Sequence, residues 1–247
     1  MQADVLTLSS LGCHPLSVVT ALTVQDTSGV NGLFPIAPDW VRRQAECVLA
    51  DVRVTAFKLG VLGSAENARA IARVLGAFPA VPVVLDPVLA SARGEPLADE
   101  DTLAALRDDL LPRATIVTPN SIEARRLGGG AEAEDADLAQ CARRMLARGC
   151  RFVLITGTHE PGDEVVNTLY QDSGLVREER WRRLPGSYHG SGCTLASAIA
   201  AYLGRGLDMP DAVGRAQRYT WQALAAGFQP GGGQHIPDRH AGALDEA

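Results

Sequence analysis

Short apolar runs alternate with longer amphipathic stretches along most of the 247-residue chain, and this alternation limits the possible folds more than any other feature. Candidate strands are Ser17–Thr23, Ala56–Leu59, Val81–Asp86, Thr115–Val117, Phe152–Thr156, Glu164–Tyr170 and Leu175–Trp181. Candidate helices are Asp39–Asp51, Ser64–Phe78, Asp99–Leu111, Ser121–Leu127, Asp135–Arg148, Ser191–Leu203 and Asp211–Ala226, with Asp39 and Ser64 as expected N-caps. Val81–Leu85 and Phe152–Ile155 are apolar at every position, as strands buried on both faces of a parallel sheet are. The expected fold is therefore α/β, with a mostly parallel central sheet and helices on both faces. The last two strands flank Gln171-Asp172-Ser173-Gly174, which predicts an antiparallel hairpin added late to that sheet. One domain over residues 1–229 is the simplest count. Gly128–Gly130 reads as a loop, and the Gly-rich, polar tail 230–247 is expected to be only partly ordered.

Composition narrows the functional classes. Hydrophobic residues make up 46% of the chain, enough for a sizeable core. Lys plus Arg number 23 against 29 Asp plus Glu, a net charge of −6 with no basic block, which argues against a nucleic-acid partner. Phosphate ligands remain open, because backbone N–H groups hold them without positive side chains. The five cysteines form neither a paired framework nor a recurring metal motif. No apolar run approaches the roughly 18–20 residues of a membrane span, and Met1–Leu11 lacks the pattern of a signal peptide. The expected location is the cytoplasm, with no membrane partner.

Three segments carry candidate chemistry. His189-Gly190-Ser191-Gly192-Cys193-Thr194 stands before an Ala-rich helix, a setting in which Gly190, Ser191 and Gly192 present N–H groups to a phosphate. A thiol in that first turn, Cys193, is expected to have its thiolate stabilised; the plain alternative is a tight turn with a small core residue. Leu85-Asp86-Pro87-Val88 puts a carboxylate at the end of an apolar strand, where open α/β sheets bind ligands; alone, Asp86 reads rather as an N-cap or turn residue. Thr118-Pro119-Asn120-Ser121-Ile122-Glu123 spaces Asn120 and Glu123 by one helical turn, suited either to a hydrated Mg²⁺ or to a reciprocal helix cap. Together they are the parts a phosphoryl-transfer site needs.

Those segments, with Ala21–Val30 and Lys58-Leu59-Gly60-Val61-Leu62, give the chain a resemblance to bacterial hydroxymethylpyrimidine/phosphomethylpyrimidine kinases, a branch of the ribokinase-like superfamily close to pyridoxal kinases. The resemblance runs from Gln2 to about Phe228, and Cys193 stands where most ribokinase-like enzymes have Asp. It implies ATP and Mg²⁺ as cofactors, a pyrimidine alcohol and its monophosphate as substrates, and a homodimer. It implies that Gln25 bonds the aminopyrimidine, that Leu62 and Val88 touch its ring, and that Asp86, Asn120 and Glu123 stand near Mg²⁺ and the nucleotide. Gly190–Gly192 and Cys193 would form the anion hole, Cys193 also deprotonating or orienting the acceptor hydroxyl. Two departures stand out. The strand and Ser/Asp/Gly-rich loop that usually precede Gln2-Ala3-Asp4 are not present in this sequence, and Thr156-Gly157-Thr158-His159 replaces Lys-Gly-Gly-His, leaving Thr156 and Thr158 as phosphate contacts. The alternatives are a pyridoxal kinase and, because of the first departure, a truncated non-catalytic nucleotide- or pyrimidine-binding protein. A dinucleotide-dependent oxidoreductase is disfavoured, since no GxGxxG follows a strand.

Overall fold

The structure is a computed structural model that describes residues 1–91, 93–128 and 136–241. Its centre is a six-stranded sheet in which spatial order follows chain order: β3 (Phe57–Leu59), β4 (Val83–Leu85), β5 (Ile116–Val117), β6 (Phe152–Thr156), β7 (Glu164–Gln171) and β8 (Gly174–Arg182). β3 to β6 are parallel and β6, β7 and β8 are antiparallel. The expected hairpin is present, closed by a Gln171–Gly174 pairing in which Gly174 has a φ of 109° that favours glycine.

The period of two along the strands divides the core into two layers. On one face Val83 and Leu85 of β4 join Val117, Val153 and Ile155 against α3 (Ala65–Leu75), α4 (Glu100–Ala105), α5 (Ser121–Gly128) and α6 (Leu138–Leu146). On the other, Val84, Ile116, Leu154 and Leu169 pack against α7 (Ser191–Gly204) and α8 (Met209–Ala225). Ser64 caps α3 as expected, accepting from Asn67 N–H at 3.2 Å.

Several boundaries differ from expectation for identifiable reasons. The first strand, β1, spans Ala21–Gln25 rather than Ser17–Thr23. The Gln44 side chain takes both the N–H and the carbonyl of Val19, so no ladder can start there. β1 pairs with an unanticipated strand, β2 (Val30–Pro35), in a two-stranded sheet outside the main one. Asn67 Nδ2 ties this unit to the centre, donating to the carbonyls of Thr20, Ile36 and Leu62. A helix α1 (Gln2–Ser10) was also not anticipated. The helix α2 (Pro38–Asp51) is capped by Ala37, and Asp39 instead pairs with Arg42 in its first turn. The segment expected as one helix, Asp99–Leu111, passes from α4 into a π turn and a 3₁₀ turn at Leu111–Arg113, where Pro112 has no N–H to continue the ladder. Asp135, Gly129, Gly130 and residues 242–247 lie outside the described residues.

The described part of the tail is packed, contrary to its polar sequence. Phe228 bridges Ile236, Tyr188 bridges His235, and Gln234 N–H donates to Thr27 O at 2.7 Å. A Cβ on Gly233 would stand 2.1 Å from Thr27 O, so only glycine permits this crossing.

Candidate active site

The carboxyl ends of β3, β4, β5 and β6 and the start of α7 meet at one edge of the sheet. Asp86 follows β4, its N–H bonded to Leu59 O, and the loop after β5 continues the ladder through Thr118 N–H to Leu85 O. Gly190 is the N-cap of α7 in the left-handed region, φ 80°. Thr194 N–H is the first to bond within the helix, to Gly190 O at 3.0 Å. The N–H groups of Ser191, Gly192 and Cys193 therefore belong to the open first turn. A Cβ on Gly192 would lie 3.8 Å from Asp86 Oδ1, which brings the phosphate loop onto the carboxylate at the end of β4.

Beneath that contact is a buried charge cluster. Lys58 Nζ lies 2.8 Å from Asp4 Oδ1 and 3.4 Å from Asp86 Oδ2, and its side chain is only 7% exposed. Ser197 Oγ donates to the same Asp4 oxygen at 2.8 Å. Burial by itself would discharge Lys58, yet Cys193 (once ionised in strong base), Asp86 and Asp4 raise it above the ordinary lysine range, and at neutral pH the carboxylates keep it charged. Asp4 is drawn down to about 2, burial being outweighed by Lys58 and the terminal amine. Asp86 is pushed up by burial, with Lys58 opposing.

Cys193 departs from expectation. Burial pushes its thiol up to about 12, Lys58 opposing and the carboxylates of Asp86 and Asp4 adding to the rise. The thiol is therefore protonated at neutral pH, with the Asp86 carboxylate beside it.

Asn120 and Glu123 form the reciprocal cap. Asn120 N–H donates to Glu123 Oε2 and Glu123 N–H to Asn120 Oδ1, both at 2.9 Å. Glu123 Oε1 also accepts from Leu89 N–H at 3.4 Å, in the loop after Asp86. Burial and the Asp86 charge push Glu123 up to about 8. Two carboxyls are held above their usual range, and the buried Asp86 Oδ2 accepts no hydrogen bond and meets Lys58 only at 3.4 Å. A hydrated divalent cation that keeps most of its waters and binds one or two carboxylates fits them.

The remaining expected residues are less closely gathered. Thr156 ends β6 and bridges Asn120, at the same sheet edge. Thr158 is exposed, its carbonyl held by Arg183 Nη1 at 2.8 Å. Val88 is half-buried just beyond Asp86, Leu62 is part of the core, and Gln25 is exposed at the end of β1. Sequence reasoning missed Lys58, Asp4 and Arg239 as site residues. For Lys58 a signal existed: it is the only lysine in the chain, every other basic side chain of the Lys/Arg class being Arg. A compact ammonium fits between the buried Asp86 and the half-buried Asp4 as a guanidinium fork does not.

An open, glycine-capped helix start set against a carboxylate at the carboxyl edge of this sheet is the arrangement of a ribokinase-like kinase. The chain belongs to the phosphomethylpyrimidine kinase family, whose sequence model matches residues 1–238. It is similar to hydroxymethylpyrimidine/phosphomethylpyrimidine kinases from Streptomyces coelicolor (41% identical, 100% of this chain and 90% of that protein) and Escherichia coli (36%, 91% and 85%). Among solved structures it resembles pyridoxal kinase from Staphylococcus aureus in complex with AMP-PCP and pyridoxal (TM-score 0.85, 28% identical, 98% of this chain and 88% of that one). It also resembles phosphomethylpyrimidine kinase from Clostridium difficile (TM-score 0.76, 30% identical, 90% and 92%).

Proposed function

We propose that this kinase transfers the γ-phosphoryl group of ATP to 4-amino-5-hydroxymethyl-2-methylpyrimidine and then to its monophosphate, for thiamine diphosphate synthesis. The observation that carries the proposal is the approach of the Gly192 position to Asp86, where a Cβ would lie 3.8 Å from Oδ1, which sets the open first turn of α7 beside a carboxylate at one sheet edge. The relatives named for this activity, including the bifunctional thiamine biosynthesis protein ThiED of Geobacter sulfurreducens, favour the pyrimidine over pyridoxal.

In this reading the N–H groups of residues 191–193 hold the transferred phosphoryl group. Asp86 and Glu123 hold Mg²⁺, whose bound charge offsets that of the phosphates. Asn120, Thr156 and Thr158 border the nucleotide, while Gln25 and Val88 face the pyrimidine and Leu62 backs it from the core. Cys193, protonated at neutral pH, orients the acceptor hydroxyl; a loose phosphoryl transfer needs little base assistance.

ATP turnover coupled to the pyrimidine alcohol, its monophosphate and pyridoxal tests the assignment. Turnover with both pyrimidines and little with pyridoxal is expected; turnover on pyridoxal alone would reassign the substrate.

The proposal extends to a homodimer in the cytoplasm. Leu22 and Phe34 are cross-strand partners on the β1–β2 hairpin, and with Val24 they are exposed, an apolar face that a second copy would cover. Light scattering should report twice the chain mass, reverting to the monomer in Val24→Glu. The cysteines are free thiols, as suits a reducing compartment, and no helix among the described residues is long and apolar enough to cross a membrane.

A further inference from the structure

A buried cation without a counter-ion stands beside the phosphate loop. Arg239 lies in the tail, 45 positions from Thr194, yet it is only 5% exposed. Its backbone is fixed by Tyr219, whose buried hydroxyl donates to Arg239 O at 2.7 Å, and by the neighbouring Asp238 N–H, which donates to Ala223 O. Its guanidinium reaches the first turn of α7: Nε donates to Thr194 Oγ1 at 3.0 Å and Nη1 to Pro237 O at 3.4 Å. Nη2 lies 3.0 Å from where a Cβ on Gly190 would stand.

Among the described residues Arg239 makes no salt bridge. The nearby acids are committed elsewhere. Asp238 accepts from the backbone N–H groups of His240 and Ala241, and Asp4 is held by Lys58 and Ser197. A guanidinium carries five N–H donors, and one withdrawn from water without an anion is costly. Here the unused donors adjoin a helix N-terminus, which already favours negative charge.

We propose that Arg239 is a phosphate-binding residue: its Nη donors take a phosphate group bidentately in front of the first turn of α7. The bound phosphate supplies the missing counter-charge, and the chain needs no basic surface to attract it. That phosphate is either the one being transferred or the monoester of an already phosphorylated acceptor. This choice of sources rests on the phosphoryl-transfer reading; the phosphate site itself does not.

Calorimetric titration of the full chain with inorganic phosphate, at constant ionic strength, tests the site directly. Arg239→Gln is expected to bind at least about tenfold more weakly than wild type, the scale of a charged hydrogen bond. Arg239→Lys, which keeps the charge but not the fork and guards against a misfolded Gln variant, is expected to fall between them. Wild-type affinity in either variant, or no phosphate binding by wild type, would overturn the proposal. Kinetics separates the sources. If Arg239 holds the acceptor, KM for the phosphorylated pyrimidine rises while that for the alcohol does not. If it holds the transferred group, kcat falls with both acceptors, and unchanged constants with both acceptors would also overturn the proposal. Phosphate binding through Arg239 in a chain that phosphorylates neither pyrimidine would sink the proposed function and leave this site standing.

Discussion

Lys58 Nζ stands 3.4 Å from Asp86 Oδ2, in a contact where both side chains are 7% exposed and the oxygen accepts no hydrogen bond. β3 and β4 run parallel with Leu59 opposite Leu85, so Lys58 and Asp86 reach the same sheet edge from adjacent strands. The ammonium bonds Asp4 firmly and Asp86 loosely, which leaves Asp86 free for another partner.

Replacing Lys58 by Met strands the buried Asp86 carboxylate and the half-buried Asp4. The expected loss is about 3–5 kcal/mol of stability, read as a lower urea midpoint. Asp4, drawn down to about 2, contributes stability that is present above its ordinary carboxylate pKa and is lost as pH falls toward 2; this acid limb should be blunted in Asp4→Asn. Because Lys58 is the only lysine, ¹⁵N-lysine labelling gives a single side-chain signal. That signal should still report an ammonium at pH values where a free lysine, near about 10.4, is half titrated.

Cys193→Ala should lower kcat strongly while KM for the pyrimidine changes little, since the thiol orients the acceptor but the N–H groups of the loop remain. Equal kcat in the mutant would refute any role for the side chain. Between pH 6 and 8 the wild-type rate should show no step from thiol ionisation, because the thiol titrates near 12.

Glu123 is held protonated below about 8 by burial and by Asp86. A metal needs the ionised form, so Mg²⁺ affinity should fall as pH drops below 8, toward about tenfold per pH unit if one proton is displaced. Glu123→Gln should abolish this pH dependence and raise the Mg²⁺ concentration needed for half-maximal rate. Metal titrations at several pH values check both.

Gly157→Ala should destabilise the fold by about 2–3 kcal/mol. A Cβ there would collide with Val166 O, and this backbone cannot swing aside, Val166 being paired with Arg180 in the β7–β8 ladder and next to Asn167, whose Oδ1 accepts from Gly157 N–H. Thermal unfolding measures the loss, and the loop at Thr158 should loosen with it.

Much of the fold was legible because its signals are local. Continuous apolar strands, Ser64 before α3, and the Asp/Ser/Gly turn at 171–174 each state their structure within a few residues. β1 and β2 were poorly legible because their apolar side chains point outward, and because the Val19 backbone is taken by Gln44, 25 positions on. The π turn before Pro112 was hidden by a helical periodicity that a change in hydrogen-bond length does not disturb.

The sequence by itself determined the α/β architecture, the loop before α7, the carboxylate after β4 and the Asn120–Glu123 pair, since each depends on neighbours along the chain. Tertiary structure decided the charges. Asp4 and Ser197 are 193 positions apart, Arg239 and Thr194 are 45 apart, and only folding joins them. Folding gathers the half-buried Cys193 and Glu123 around Asp86, and their partial desolvation beside that carboxylate raises both, against the thiolate expected at a helix N-terminus, and keeps Glu123 protonated at neutral pH.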